Sequence, residues 1–179
     1  MDKKNEFKPY VPAEKVTPEI TVTSIVMGII LAVVFGAANA YLGLRVGMTV
    51  SASIPAAVIA MGVIRIIMRR NSILESNVVQ TIGSAGESLA AGAIFTLPAL
   101  YILQAKYPDM TVNFIQVFLS SLLGGVLGIL FLIPFRKYFV KDMHGKYPFP
   151  EATATTEVLV SGEKGGSQAK ILVAAGLIG

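Results

Sequence analysis

Residues 20–44 are an unbroken run without a single charge. A helix of that length, at about 1.5 Å per residue, exceeds the roughly 30 Å hydrocarbon core of a bilayer. A soluble body of 179 residues has too much surface for its volume to hide such runs. Hydrophobic residues make up 54% of the chain and charged residues 15%, where an ordinary globular domain is roughly 25% charged. The predicted fold is therefore all-α, a polytopic helical membrane protein.

About four complete transmembrane helices are expected, at 20–44, 46–64, 89–103 with its polar lead-in from residue 77, and 112–135. Two polar segments, 77–88 and 148–162, read as discontinuous or re-entrant. A Gly-rich stretch, 162–166, reads as a linker. The apolar run 171–179 is less than half of the roughly 20 residues a span needs, so it reads as the start of a further helix. The expected organisation is a cytoplasmic N-terminal tail (1–19) and a transmembrane domain (20–179), forming the N-terminal portion of a longer protein or one completed by another chain. Ala38-Asn39-Ala40 resembles a leader cleavage site, but the tail before it is long and partly acidic, and more spans follow.

Eleven cationic residues fall on one side of this arrangement: Lys3, Lys4, Lys8 and Lys15, then Arg65, Arg69 and Arg70, then Arg136, Lys137, Lys141 and Lys146. Only Arg45 and Lys106 fall on the other. That bias predicts a multi-pass protein of the cell (plasma or inner) membrane with a cytoplasmic N-terminus. The basic residues mark span ends, so no nucleic acid partner is expected. With no Cys, disulfides, thiol catalysis, Cys-zinc sites and iron–sulfur clusters are excluded. The one His, His144, has no second ligand at metal-binding spacing, and neither a metal nor a cofactor is expected.

Small residues recur every four positions in the first span (Gly28, Ala32, Gly36, Ala40) and the fourth (Ser120, Gly124, Gly128). In lipid such stripes let helix backbones approach, so both read as contact faces.

Two constellations carry chemistry. On a helix, Asn77, Gln80, Thr81, Ser84, Glu87 and Ser88 form one polar stripe. Glu87 stands at the mouth of an apolar run, where a carboxyl is costly unless it meets water, a partner or a substrate, or is protonated. An interfacial helix end with Glu87 reaching water is the competing reading. In the second, Pro150 suits a first helical turn, Glu151 suits the positive end of the helix dipole, and Thr153, Thr156 and Glu157 share a face. A re-entrant half-helix lining a cavity and an ordinary cytoplasmic helix fit this spacing equally. Paired Gly/Pro-interrupted polar segments are the pattern expected around a transporter's substrate site.

The strings NVVQTIGSAGESLAAGAIFTLPAL (77–100) and PFRKYFVKDMHGKYPFPEATATTEVLVSGE (134–163) resemble the oligopeptide transporter family, in its bacterial branch related to the yellow-stripe-like transporters. The likeness lies in the Asn-x-Val-Gln-Thr opening and in the Pro-aromatic-Pro segment after a basic loop. The resemblance implies secondary active uptake of oligopeptides or metal-chelate, siderophore-like substrates, generally driven by protons. It implies a site drawn from Asn77, Gln80, Thr81, Ser84 and Glu87 with Pro148, Pro150, Thr153, Thr155 and Glu157, with Glu87 as the proton-coupling or substrate-amine residue. Desolvation favours the neutral form of a carboxyl, as that role requires. Lipid, substrate, protons, and the rest of the transporter or further copies are the implied partners. The alternative is a small four-span scaffold or assembly subunit that moves nothing. Enzymatic chemistry is poorly supplied, with no Cys and one His.

Overall fold

The computed structural model describes residues 9–12 and 14–164. Every regular element among them is helical: α1 (Val22–Val46), α2 (Ser53–Gly62) widening into a π-type turn (Val63–Ile67), α3 (Ile73–Lys106), α4 (Phe114–Lys137) widening into a second π-type turn (Tyr138–Asp142), and α5 (Pro150–Lys164). Among the described residues, three helical stretches are long and apolar enough to cross a membrane: Val22–Val46, Ile73–Lys106 and Phe114–Asp142.

The segment 46–64 is not the complete span expected. α1 ends at Gly47, whose φ of 75° is a left-handed conformation open to glycine. Residues 48–52 are not helical, and α2 starts at Ser53. Pro55 lacks an N–H and is best suited to a first helical turn, which favours a start just before it. Residues 53–67 then rise about 22 Å, short of the roughly 30 Å core. Segments 77–88 and 89–103, by contrast, are not separated by a break. They form one helix of 34 residues.

The chain divides into two compact units. The first holds Val16–Thr96 and the chain from Phe149 onward. Thr21 opens α1 with a capping box: its Oγ1 accepts from the Ser24 N–H at 3.1 Å, and Ser24 Oγ accepts from the Thr21 N–H at 2.9 Å. The Ser72 hydroxyl donates to the Pro18 carbonyl at 2.7 Å, which ties the starts of α1 and α3 together. Gly28 then faces Ile82, Gly36 faces Gly86, and Gly43 faces Ile94. The numbers climb together, so the two helices run parallel. Gly28, Ala32 and Gly36 belong to the stripe read from the sequence, and at Ala32 and Gly36 backbone meets the Gly86 backbone. A Cβ on Gly36 would stand 3.1 Å from the Gly86 carbonyl oxygen, and one on Gly86 would overlap the Ala32 carbonyl.

α2 runs back along this pair. Its Ala56, Ala57 and Ala60 are fully buried, and Ile64, Val79, Met27 and Leu31 pack around its end. α5 lies parallel to α2. Ser51 meets Glu151 at one end. At the other, the Arg65 guanidinium donates to the Gly162 carbonyl and Asn71 Nδ2 donates to the Glu163 carbonyl at 3.3 Å. A cation on the last carbonyls suits the negative end of the α5 dipole. Pro150 opens α5 as the sequence suggested, but the expected linker does not begin at Gly162. That residue is helical and buried against Met61, because only a glycine leaves room for the thioether. Residues 165–179, with the rest of the expected linker and the final apolar run, lie outside the described residues, as do 1–8 and 13.

The second unit holds Leu97–Pro148 and the chain up to Lys15. The Met110 N–H donates to the Tyr107 carbonyl at 2.9 Å in the turn after α3. Asn113 then caps α4 by accepting from the Ile115 N–H at 2.9 Å. No residue of α4 is buried. Gly124 and Gly128 have no neighbour within 4 Å of a Cβ built on them, so this second small-residue stripe has no partner among the described residues. A helix apolar on all sides is one for lipid or for other helices.

Candidate functional site

The break between α1 and α2 is where α1, α3 and α5 place polar side chains. Asn39, buried in α1, accepts from the Val50 N–H at 2.7 Å and donates to its own helix at the Phe35 carbonyl, 3.1 Å away. Glu87 of α3 reaches the Ala52 N–H with Oε2 at 3.4 Å. The Ser51 hydroxyl donates to Glu151 Oε1 of α5 and accepts from the Ser53 N–H at 3.4 Å. The first N–H groups of a helix have no carbonyl of their own to bond. At α2 they are met by Glu87 and Ser51, and a carboxylate there also suits the positive end of the dipole. Two acids from two helices thus sit on adjacent residues of the break, and the N-terminal ends of α2 and α5 come together there.

Helix rise sets the depth of this junction. At the other end of the unit lie Arg65, Arg69 and Arg70, with Arg70 paired to the buried Glu75 at 3.7 Å. Twelve residues of α3 separate Glu75 from Glu87, and twelve of α2 separate Ser53 from Arg65, so each path rises about 18 Å. Eleven residues of α5 between Glu151 and Gly162 rise about 16 Å. With the arginines at the membrane interface, the α2 end of the break, with Glu87 and Glu151, lies a little past the middle of a core of roughly 30 Å, and its α1 end at Gly47 lies near the far face.

The predicted stripe on α3 is split by packing. Gln80 is buried and Glu87 half-buried, two turns apart on the edge facing the unit's interior. Asn77, Thr81 and Ser88 are exposed and Ser84 half-buried. The hydroxyls on this outer edge bond to their own helix: Thr81 to the Asn77 carbonyl at 2.8 Å, Ser84 to that of Thr81 at 3.2 Å and Ser88 to that of Ser84 at 3.1 Å.

On α5 the face against α2 is Thr155, Leu159 and Gly162, all buried. The Thr155 hydroxyl has no hydrogen-bond partner there. Pro150, Thr153, Thr156 and Glu157 are exposed, and Thr156 bonds back to the Ala152 carbonyl at 2.7 Å. Pro148 is exposed and belongs to the other unit.

Asn39, Ser51 and Glu75 were not singled out from the sequence, and Glu151 was read only as a first-turn acid. A lone amide inside a long uncharged run was the available signal for Asn39, since polar groups at bilayer depth need a reason. Asn39→Leu keeps the volume and leaves the Val50 N–H without its acceptor. It is expected to destabilise the unit by about 1–3 kcal/mol, with faster hydrogen exchange at Val50 than in α4. Unchanged exchange at Val50 would show that the amide does not hold the break.

These features define a multi-pass helical membrane protein with a broken helix lined by acids. Residues 19–179, most of the chain, match the family described as OPT oligopeptide transporter protein. The chain belongs to the OPT oligopeptide transporter family, a family of transporters rather than enzymes. A protein of Haemophilus influenzae named "Putative oligopeptide transporter" is 43% identical over 122 residues, covering 68% of this chain and 18% of that protein. The chain therefore spans less than a fifth of the length of that relative. No solved structure matches the chain.

Proposed function

We propose that this chain forms part of a proton-coupled transporter that takes up oligopeptides across the cell membrane, with its N-terminus in the cytoplasm. The observation that carries the reading is the broken helix at bilayer depth, with Glu87 on the Ala52 N–H and Glu151 on Ser51. Discontinuous helices with exposed ends at the midplane are how transporters build substrate and ion sites. A carboxyl at that depth exchanges its proton at a cost that substrate binding can offset. In this reading Glu87 carries the proton, while one of its oxygens stays on the Ala52 N–H. Glu151 and Gln80 add polar contacts, and Asn77, Thr81, Ser84 and Ser88 line the route on the outer edge of α3. Thr153, Thr156 and Glu157, with Pro150 shaping the entry to α5, supply the second wall, and Thr155 seats α5 on α2. The orientation follows the cationic bias of eleven against two.

The test is uptake by proteoliposomes holding the full-length protein, with a peptide panel and a siderophore panel, with and without an inward proton gradient. Gradient-dependent peptide uptake is expected. Uptake of chelates alone would move the substrate to that class, and no gradient-dependent uptake of either would overturn the reading.

A further inference from the structure

Three costly features lie along the seam where α5 rests on α2 and at the connection that holds it. Arg69, between α2 and α3, has a φ of 53°, a left-handed conformation that crowds the Cβ of any residue but glycine. Glu75, 2% exposed, has Oε1 3.7 Å from the half-exposed Arg70 and no hydrogen-bond partner for Oε2. Thr155, on the α5 face against α2, buries a hydroxyl that is also without a partner. Further chain can cover more surface but cannot uncover these groups. Unmet polar groups regain water when a seam parts. Strained backbone persists only where its surroundings hold it, as at a switch. The holding contacts are few: Arg65 and Asn71 donate to the Gly162 and Glu163 carbonyls in the last described turn of α5.

We propose that the Arg70–Glu75 pair is the latch of this seam, and that α5 parts from α2 at its arginine end during transport. Glu75 is a positioning residue: by holding Arg70 it sets the next residue, Asn71, against α5. A single loose contact to a half-exposed cation is readily exchanged for water, which suits a pair that must open. This rests on the transport reading and adds a moving part to it. The near ends of α2 and α5 stay joined at Ser51 and Glu151 while the far ends separate, and the proposed orientation puts that opening on the cytoplasmic side.

The experiment uses the full-length protein in a background otherwise free of reactive thiols. Leu159→Cys is the reporter, since Leu159 is 4% exposed on the buried face of α5. In permeabilised membranes a charged thiol reagent reaches both faces. Adding Arg70→Gln is expected to speed modification about tenfold, between the effects of exposed and of fully buried pairs. Arg70→Lys, which keeps the charge, is expected to keep the slow rate. Equal rates in all three proteins, or equal acceleration by Gln and Lys, would overturn the proposal. No substrate enters this measurement, so its failure stands apart from a failure of transport. A second arm asks whether the seam must part. In proteoliposomes of an Asn71→Cys, Glu163→Cys variant, a cleavable thiol cross-linker is expected to stop peptide uptake and a reductant to restore it. Full uptake by the cross-linked protein would overturn the proposal. No peptide uptake before cross-linking, with the labelling as expected, would sink the peptide-transport reading and leave the latch standing.

Discussion

Gly86→Ala is expected to be the most destabilising single-methyl change in the described chain. The added Cβ would overlap the Ala32 carbonyl of α1. Its neighbours are backbone on both sides, so no side chain can turn away to make room. Overpacking of a tight contact costs about 1–3 kcal/mol, and the upper end is expected here because relief requires the two helices to separate. Separation would also pull Glu87, the next residue of α3, away from the Ala52 N–H. Gly92→Ala, in the same helix, is the matched control, since a Cβ there has no neighbour within 4 Å. A helix-interior glycine replaced by alanine at an open site gains about 0.5–1 kcal/mol. Thermal unfolding of the two full-length variants in detergent is therefore expected to move in opposite directions. Equal midpoints would mean that α1 and α3 do not cross at these glycines.

Glu87→Gln is expected to separate the anchoring of the break from its proton chemistry. Glutamine keeps the side chain's length and an oxygen for the Ala52 N–H, so the break stays in place. It cannot exchange a proton. A gradient of one pH unit supplies about 1.4 kcal/mol per proton, which is a tenfold accumulation of substrate. In the variant that tenfold is expected to vanish, while exchange of labelled for unlabelled peptide at equal pH on both sides continues. Full gradient-driven accumulation in the variant would remove Glu87 from the coupling role and turn attention to Glu151.

The long apolar helices were legible in the sequence because length and charge-free runs are a physical requirement of lipid. α1 and α4 lie within a few residues of the expected 20–44 and 112–135. Pro150 and Glu151 announced the start of α5 for equally local reasons. The break at 47–52 was not legible by the same means. A hydropathy window averages across Gly47-Met48-Thr49-Val50-Ser51-Ala52 and sees one span, whereas the helix is ended by a single glycine conformation and restarted ahead of Pro55. The stripe on α3 was correctly helical in period, but a period does not say which edge meets a neighbour. Packing against α1 put Gln80 and Glu87 inward and left Asn77, Thr81, Ser84 and Ser88 outward. The partners of Glu87 and Glu151 lie 35 and 100 residues away in sequence. No local pattern carries such a pairing.

Whether water reaches the break can be measured directly in the membrane. A Ser51→Cys variant of the full-length protein, in a background otherwise free of reactive thiols, would be treated in sealed vesicles with a membrane-impermeant thiol reagent. The account predicts modification from the aqueous phase, at a rate that changes when a proton gradient is imposed. A thiol that no charged reagent reaches from either face, with or without the gradient, would mean that the acids are sealed in a dry helix junction and that nothing hydrophilic passes there.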